Sequence, residues 1–112
     1  MSSRQFELDA DPRARRWLAE HPSDKARVIA YNVHHCCGGG KICEVRIRQF
    51  SRHDDPKMYA IASLDDGTEF LIDRRAATKL PPRFGLTVRG IGGLKHLDLD
   101  LEPEEWGTLL YD

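Results

Sequence analysis

No cysteine lies outside residues 36–43 of this 112-residue chain, where Cys36, Cys37 and Cys43 are gathered. No C-x-x-C pair occurs, so the usual spacing of a structural zinc site is missing. No apolar run approaches the roughly 18–20 residues needed to cross a bilayer. An excess of either charge is lacking as well: 17 basic residues face 18 acidic ones, a formal net charge of -1. That balance predicts neither a nucleic-acid partner nor an anionic membrane. The start, Met1-Ser-Ser-Arg-Gln-Phe-Glu, is without the apolar core of a signal peptide, and a cytoplasmic location is the expectation. There thiols are kept reduced, which directs three cysteines toward reactivity, metal binding or simple burial rather than a disulfide framework. A nucleophilic serine motif and a defensible acid–base carboxylate pair are also absent, as are repeats, linkers and low-complexity segments.

What is present reads as one globular domain over 1–112, with 40% apolar and 31% charged residues. Phe6 and Leu8 alternate with polar residues and suggest a short strand over 4–10. Asp11-Pro12 is a helix start, Asp as N-cap and Pro at the first helical position. Ala14, Trp17 and Leu18 share one face of that helix, Arg13, Arg15, Arg16 and Glu20 read as its solvated side, and Pro22 ends it. Ala26 to Val33 is β-branched and aromatic, apolar on both alternating faces, and reads as an interior strand. Ile42 to Phe50 alternates with Cys43, Val45 and Ile47 on one face.

Asp65-Asp66-Gly67 predicts a turn between strands Met58 to Leu64 and Thr68 to Asp73. Asp73 is placed to cap one or two helical turns, which Pro81-Pro82 stops. Phe84 to Arg89 and Leu94 to Leu101 follow as strands, joined by Gly90-Ile91-Gly92-Gly93. That glycine stretch is no phosphate loop, since a strand follows it. Pro103 to Leu110 is a short closing helix. The acidic end, Asp98, Asp100, Glu102, Glu104 and Glu105, reads as a solvated face. The expected fold class is α+β, mainly β: an antiparallel or mixed sheet of about six strands with an N-terminal helix and short helical turns.

The chemistry is concentrated in His34-His35-Cys36-Cys37-Gly38-Gly39-Gly40-Lys41-Ile42-Cys43. Consecutive Cα atoms sit about 3.8 Å apart across a trans peptide, whereas ordinary disulfides want roughly 4.4–6.8 Å. A bond between Cys36 and Cys37 is therefore strained and easily reduced, suited to switching or catalysis. His34, His35 and Lys41 supply nearby positive charge that favours thiolate. Gly38, Gly39 and Gly40 can turn backbone N–H groups toward an anion and let a partner approach the sulfurs.

A four-residue turn over 38–41 puts Cys36 opposite Cys43 and His34 opposite Val45. A one-residue shift puts Cys37 opposite Cys43 and His35 opposite Val45. Cys43 is then either a resolving thiol or a small buried apolar residue. The expected catalytic set is Cys36, Cys37, Cys43 and His35, supported by His34, Gly38, Gly39, Gly40 and Lys41. It needs no cofactor, and its partner is a thiol/disulfide protein or a small oxidant. The alternative is a metal or metalloid module, with zinc or an iron–sulfur cluster held by His34, His35, Cys36, Cys37 and Cys43. Neighbours on an extended strand point to opposite sides, so only a turn could gather three of them. A structural domain without chemistry is the third reading.

The Cys36-Cys37-Gly38-Gly39 motif after the first main strand resembles the CC/Se-motif (seleno)proteins, small HesB-like bacterial proteins of unknown function. The stretch with Leu86, Thr87, Val88, Arg89 and Ile91, followed by Leu97 and Leu99, is similar too, and the likeness spans residues 26 to 101. The resemblance implies redox chemistry, because selenocysteine is used where a stronger, lower-pKa nucleophile helps. The HesB-like label also suggests iron–sulfur carriage, as in A-type scaffold proteins, which have a Cys-x-Cys pair near the C-terminus. This chain has no cysteine after Cys43. Cluster carriage would therefore need the ligands of the Cys36 region shared across a dimer.

Overall fold

The alternation of Phe6, Leu8 and Ala10 with exposed Glu7 and Asp9 makes β1 (Gln5–Ala10) a strand that must bury one face. In the computed structural model, which describes residues 5–35 and 38–111, that strand lies deep within the sheet and pairs in parallel with a neighbour on each side. The other strands are β2 (Arg27–His35), β3 (Lys41–Gln49), β4 (Tyr59–Ser63), β5 (Glu69–Asp73), β6 (Arg83–Arg89) and β7 (His96–Asp100). They form one seven-stranded sheet in the order β3-β2-β5-β4-β1-β6-β7. The sheet curls until its two edge strands come near each other, a nearly closed barrel.

This corrects the expected fold class. An antiparallel or mixed sheet of about six strands with an N-terminal helix becomes a seven-stranded, barrel-like sheet. Local alternation reports that a strand has an apolar face, but not which distant strand it joins or how the sheet curls. The short N-terminal strand, Gln5–Ala10, is an interior strand of the sheet, paired on both sides.

Inward-facing side chains fill the barrel: Phe6 and Leu8 of β1, Ile29 and Tyr31 of β2, Phe70 and Ile72 of β5, Leu86 and Val88 of β6, Leu97 and Leu99 of β7. β4 contributes only Ala60 and Ala62, which make room for the rings on either side. Three helices cover the ends. α1 (Pro12–Glu20) starts on Asp11, whose carboxylate accepts the Ala14 N–H at 2.7 Å, and it follows the C-terminal end of β1. α2 (Arg74–Ala77) starts on Asp73, and α3 (Pro103–Tyr111) follows β7. Strands β5 and β7 run opposite to their respective neighbours β4 and β6, so α2 and α3 lie at the end of the barrel away from α1. Ala14, Ala76, Ala77 and Leu109 join the same core from these helices, and Leu80 from the segment after α2, with Trp17, Leu18, Trp106 and Leu110 packed on its margin.

Two connections show why particular glycines are needed. Gly67 has φ +89 in the β4–β5 turn, where the Asp66 carboxylate accepts the Thr68 N–H at 2.9 Å. Gly90 has φ +96, and a Cβ there would stand 2.4 Å from the Leu94 carbonyl oxygen. Only glycine fits that position.

Candidate thiol site at the β2–β3 hairpin

β2 runs parallel to β5, so its C-terminal end emerges at the α2/α3 end of the barrel. The antiparallel ladder with β3 runs from Arg27↔Gln49 to His35↔Lys41, and residues 36–40 connect its last pair. Cys36 and Cys37 lie outside the described residues. The ladder sets Val33 opposite Cys43 and Tyr31 opposite Val45. The registers expected from sequence, with Cys36 or Cys37 facing Cys43 and His34 or His35 facing Val45, are therefore not the ones formed. The first would have turned Val28 and Ala30 toward the barrel interior in place of Ile29 and Tyr31, and burial of the larger pair decides against it. The second keeps the correct face but slides the strands past each other, which would put Val33 rather than Ile29 opposite Ile47.

The remaining members of the cluster divide between faces. His34 lies on the outer face, its Nε2 3.5 Å from Glu44 Oε2, while Arg46 pairs with the other carboxylate oxygen, Oε1, at 2.7 Å. His35 and Lys41 are the terminal cross-strand pair, both exposed. Because successive residues alternate, His34 and His35 point to opposite faces. An added Cβ at Gly38, Gly39 or Gly40 would meet nothing within 4 Å, and Gly39 takes φ +88. These glycines stand clear of the domain body.

Cys43 is half-buried on the inner face, against the core. Beside it is a group of residues that patterning did not single out. The Tyr31 hydroxyl donates to the Leu109 carbonyl of α3 at 2.9 Å, and the Lys79 ammonium donates to the Tyr31 hydroxyl oxygen at 3.3 Å. The Arg75 guanidinium and Lys79 ammonium sit 5.7 and 5.5 Å from the Tyr31 ring centre. Arg75 also donates to the Tyr31 carbonyl and pairs with Asp73 at 2.9 Å. Burial first, then hydrogen bonding with the Cys43 thiol, push the Tyr31 phenol up to about 12. The phenol thus stays protonated and available as a donor. The one sequence signal for this group is the four-residue spacing of Arg75 and Lys79 beside a capping Asp73.

Replacing Tyr31 by phenylalanine removes the donor to a buried carbonyl. A loss of about 1–2 kcal/mol is expected, measured as a lower urea midpoint with unchanged slope. Among the described residues no three His, Cys, Asp or Glu side chains converge on a point that could hold a metal ion. Nor is any helix among them long and apolar enough to cross a membrane. No family model matches the chain, nor does any curated protein or solved structure. The likeness to CC/Se-motif proteins accordingly rests on the residues that carry it.

Proposed function

We propose that this chain is a cytoplasmic thiol-redox protein acting through Cys36 and Cys37. The observation that carries the reading is the adjacent thiol pair, bracketed by the exposed His35–Lys41 pair and by three glycines with open space around them. Lys41 supplies positive charge close to the chain segment that holds the pair, and charge of that sign favours thiolate. The open glycines leave room for a folded protein partner, where a recessed thiol would admit only a small molecule.

The reaction is a two-electron exchange. One thiolate of the pair attacks a sulfur of a substrate disulfide, the S–S bond breaks, and the first substrate thiolate leaves. The neighbouring thiolate then attacks the mixed disulfide, forming the Cys36–Cys37 bond and releasing the second substrate thiolate. The substrate is reduced and the pair oxidised. The constraint of bonding sequence neighbours makes the product a ready electron acceptor for a reducing thiol. The ladder does not set Cys43 opposite the pair, so resolution falls to the neighbour. No cofactor is required.

Mass spectrometry of protein treated with a mild thiol oxidant tests the proposal. A loss of two hydrogen atoms mapping to a Cys36–Cys37 peptide is expected, together with turnover of a small disulfide that falls to background in Cys36→Ser and Cys37→Ser. Absence of any linkage at the pair would overturn it. So would stoichiometric zinc in untagged protein that disappears in Cys36→Ser, which marks a metal module instead.

A further inference from the structure

We infer that the β6–β7 hairpin is a peripheral docking surface for an anionic lipid bilayer. At its tip Ile91 and Leu94 are 87% and 79% exposed, the two most exposed aliphatic side chains among the large hydrophobics described. Their exposure belongs to a built loop. The Leu94 N–H donates to the Ile91 carbonyl at 3.1 Å, the Lys95 N–H to the Gly92 carbonyl at 3.3 Å, and His96 Nδ1 contacts the Leu94 carbonyl at 2.9 Å. The close approach at Gly90 locks the loop's base.

Lys95, next to Leu94, also lines a groove with Arg13, Arg16, Trp17, Glu20 and Val88. None of Arg13, Arg16 and Lys95 takes part in an ion pair among the described residues, whereas Arg15, Arg48, Arg83 and Arg89 all do. The nearby carboxylates are largely engaged. Asp98 pairs with Arg89 at 2.9 Å, and Asp11 caps α1 and accepts from Thr87. Glu20 is the one carboxylate in the lining against three cations, and Asp11 also attracts Arg13.

Protruding aliphatic side chains and cations without an ion pair thus adjoin each other. A bilayer surface offers the complement of both, anionic phosphates and hydrocarbon. An acidic protein would match the cations but gives no reason for two large aliphatic side chains to protrude. The net charge of -1 hides this local excess, and the proposal departs from the expectation of no membrane partner drawn from it. The surface is also at the opposite end of the barrel from the hairpin carrying the thiol pair, since β6 runs antiparallel to β5 through β4 and β1, and β2 parallel to β5. Membrane contact would leave the His35–Lys41 end of the β2–β3 ladder away from the lipid.

Sedimentation of the full chain with vesicles tests the inference. Two compositions are compared, phosphatidylcholine alone and phosphatidylcholine with about a third phosphatidylserine. Binding is expected only to the anionic vesicles, and it should weaken as salt is added. Arg13→Gln with Arg16→Gln should lower the partition constant by about 25-fold, from roughly fivefold per cation. Ile91→Ser with Leu94→Ser should lower it by at least about tenfold. All four positions are solvent-exposed, so melting curves are expected to match wild type. Failure to bind phosphatidylserine vesicles overturns the proposal, as does insensitivity to either double variant. Equally tight binding to soluble polyglutamate, competing with vesicles, would instead assign the surface to an acidic protein.

Discussion

Replacing Phe70 by alanine is expected to lower the unfolding free energy by about 3–5 kcal/mol. Phe70 is fully buried and projects from β5 into the barrel. Its antiparallel partner on β4 is Ala62, and the parallel partner of Ala62 on β1 is Phe6. Three adjacent strands therefore present large, small and large side chains along one row, and Phe6 in turn meets Phe84 of β6 edge-on with ring centres 6.2 Å apart. Such alternation is how a small barrel fills its interior.

Removing the Phe70 ring leaves a void bordered by alanine on one side, and alanine cannot extend to fill it. The loss should therefore sit high in the range for aromatic truncations. Against a typical total of roughly 5–15 kcal/mol it is a large fraction. The midpoint of thermal unfolding should fall by about 10–25 °C, and the denaturant midpoint should fall with unchanged slope. Cys43 packs against the same core, so its labelling by a thiol reagent should accelerate in the variant. A loss below about 1 kcal/mol would show that the interior is not organised around this ring.

How much of this is legible in the chain depends on range. The Asp11 and Asp73 caps and the Asp65-Asp66-Gly67 turn are all readable, because each is decided within a few residues. The placement of β1 is not. Its parallel neighbours β4 and β6 begin more than fifty and seventy residues away, and nothing in Phe6-Glu-Leu selects them over other apolar strands. The β2–β3 register is an intermediate case. Alternation names the right face of β3, but the number of residues left to the loop is set by how Ile29 and Tyr31 fit the barrel. The thiol cluster is legible as composition, because three cysteines in so short a span are conspicuous by themselves. The Tyr31–Arg75–Lys79 group is invisible until β2 and α2 are packed together. The Ile91–Leu94 tip carries no periodic signal at all, and its meaning comes from the cations that α1 brings beside it.

The far end of β3 rests on a second polar anchor, and its pH dependence can be worked out. Arg48 donates two parallel hydrogen bonds to Asp54, at 2.7 and 2.8 Å. The Tyr59 hydroxyl donates to the same carboxylate at 2.7 Å, as does the Ser51 N–H at 2.7 Å. One side chain thus ties β3, the following loop and β4 together. The Arg48 guanidinium beside it, opposed by burial and reinforced by Tyr59 and Ser51, holds the Asp54 carboxyl far below the usual carboxylate range.

A depressed carboxyl stabilises the fold wherever it is ionised in both states. The contribution is complete above the unfolded value of roughly 3.9 and is lost as pH falls below it toward the folded value. Asp54 keeps only 10% of its side-chain surface exposed, but Arg48 keeps 39%, so the roughly 3–5 kcal/mol of a fully buried pair must be discounted. Asp54→Asn is expected to cost about 2 kcal/mol at neutral pH, through the lost charge on the Arg48 pair and one acceptor fewer for four donated hydrogen bonds. Urea unfolding across acidic to neutral pH checks this. The gap between wild type and variant should hold steady from about pH 7 to 5 and shrink below about pH 4, as the wild-type carboxyl loses its advantage over the unfolded chain. A gap that stayed constant into acid would place the loss in shape rather than charge. Because this anchor sits at the end of β3 remote from Lys41, thiol reactivity at Cys36 and Cys37 should be the same in both proteins while they remain folded.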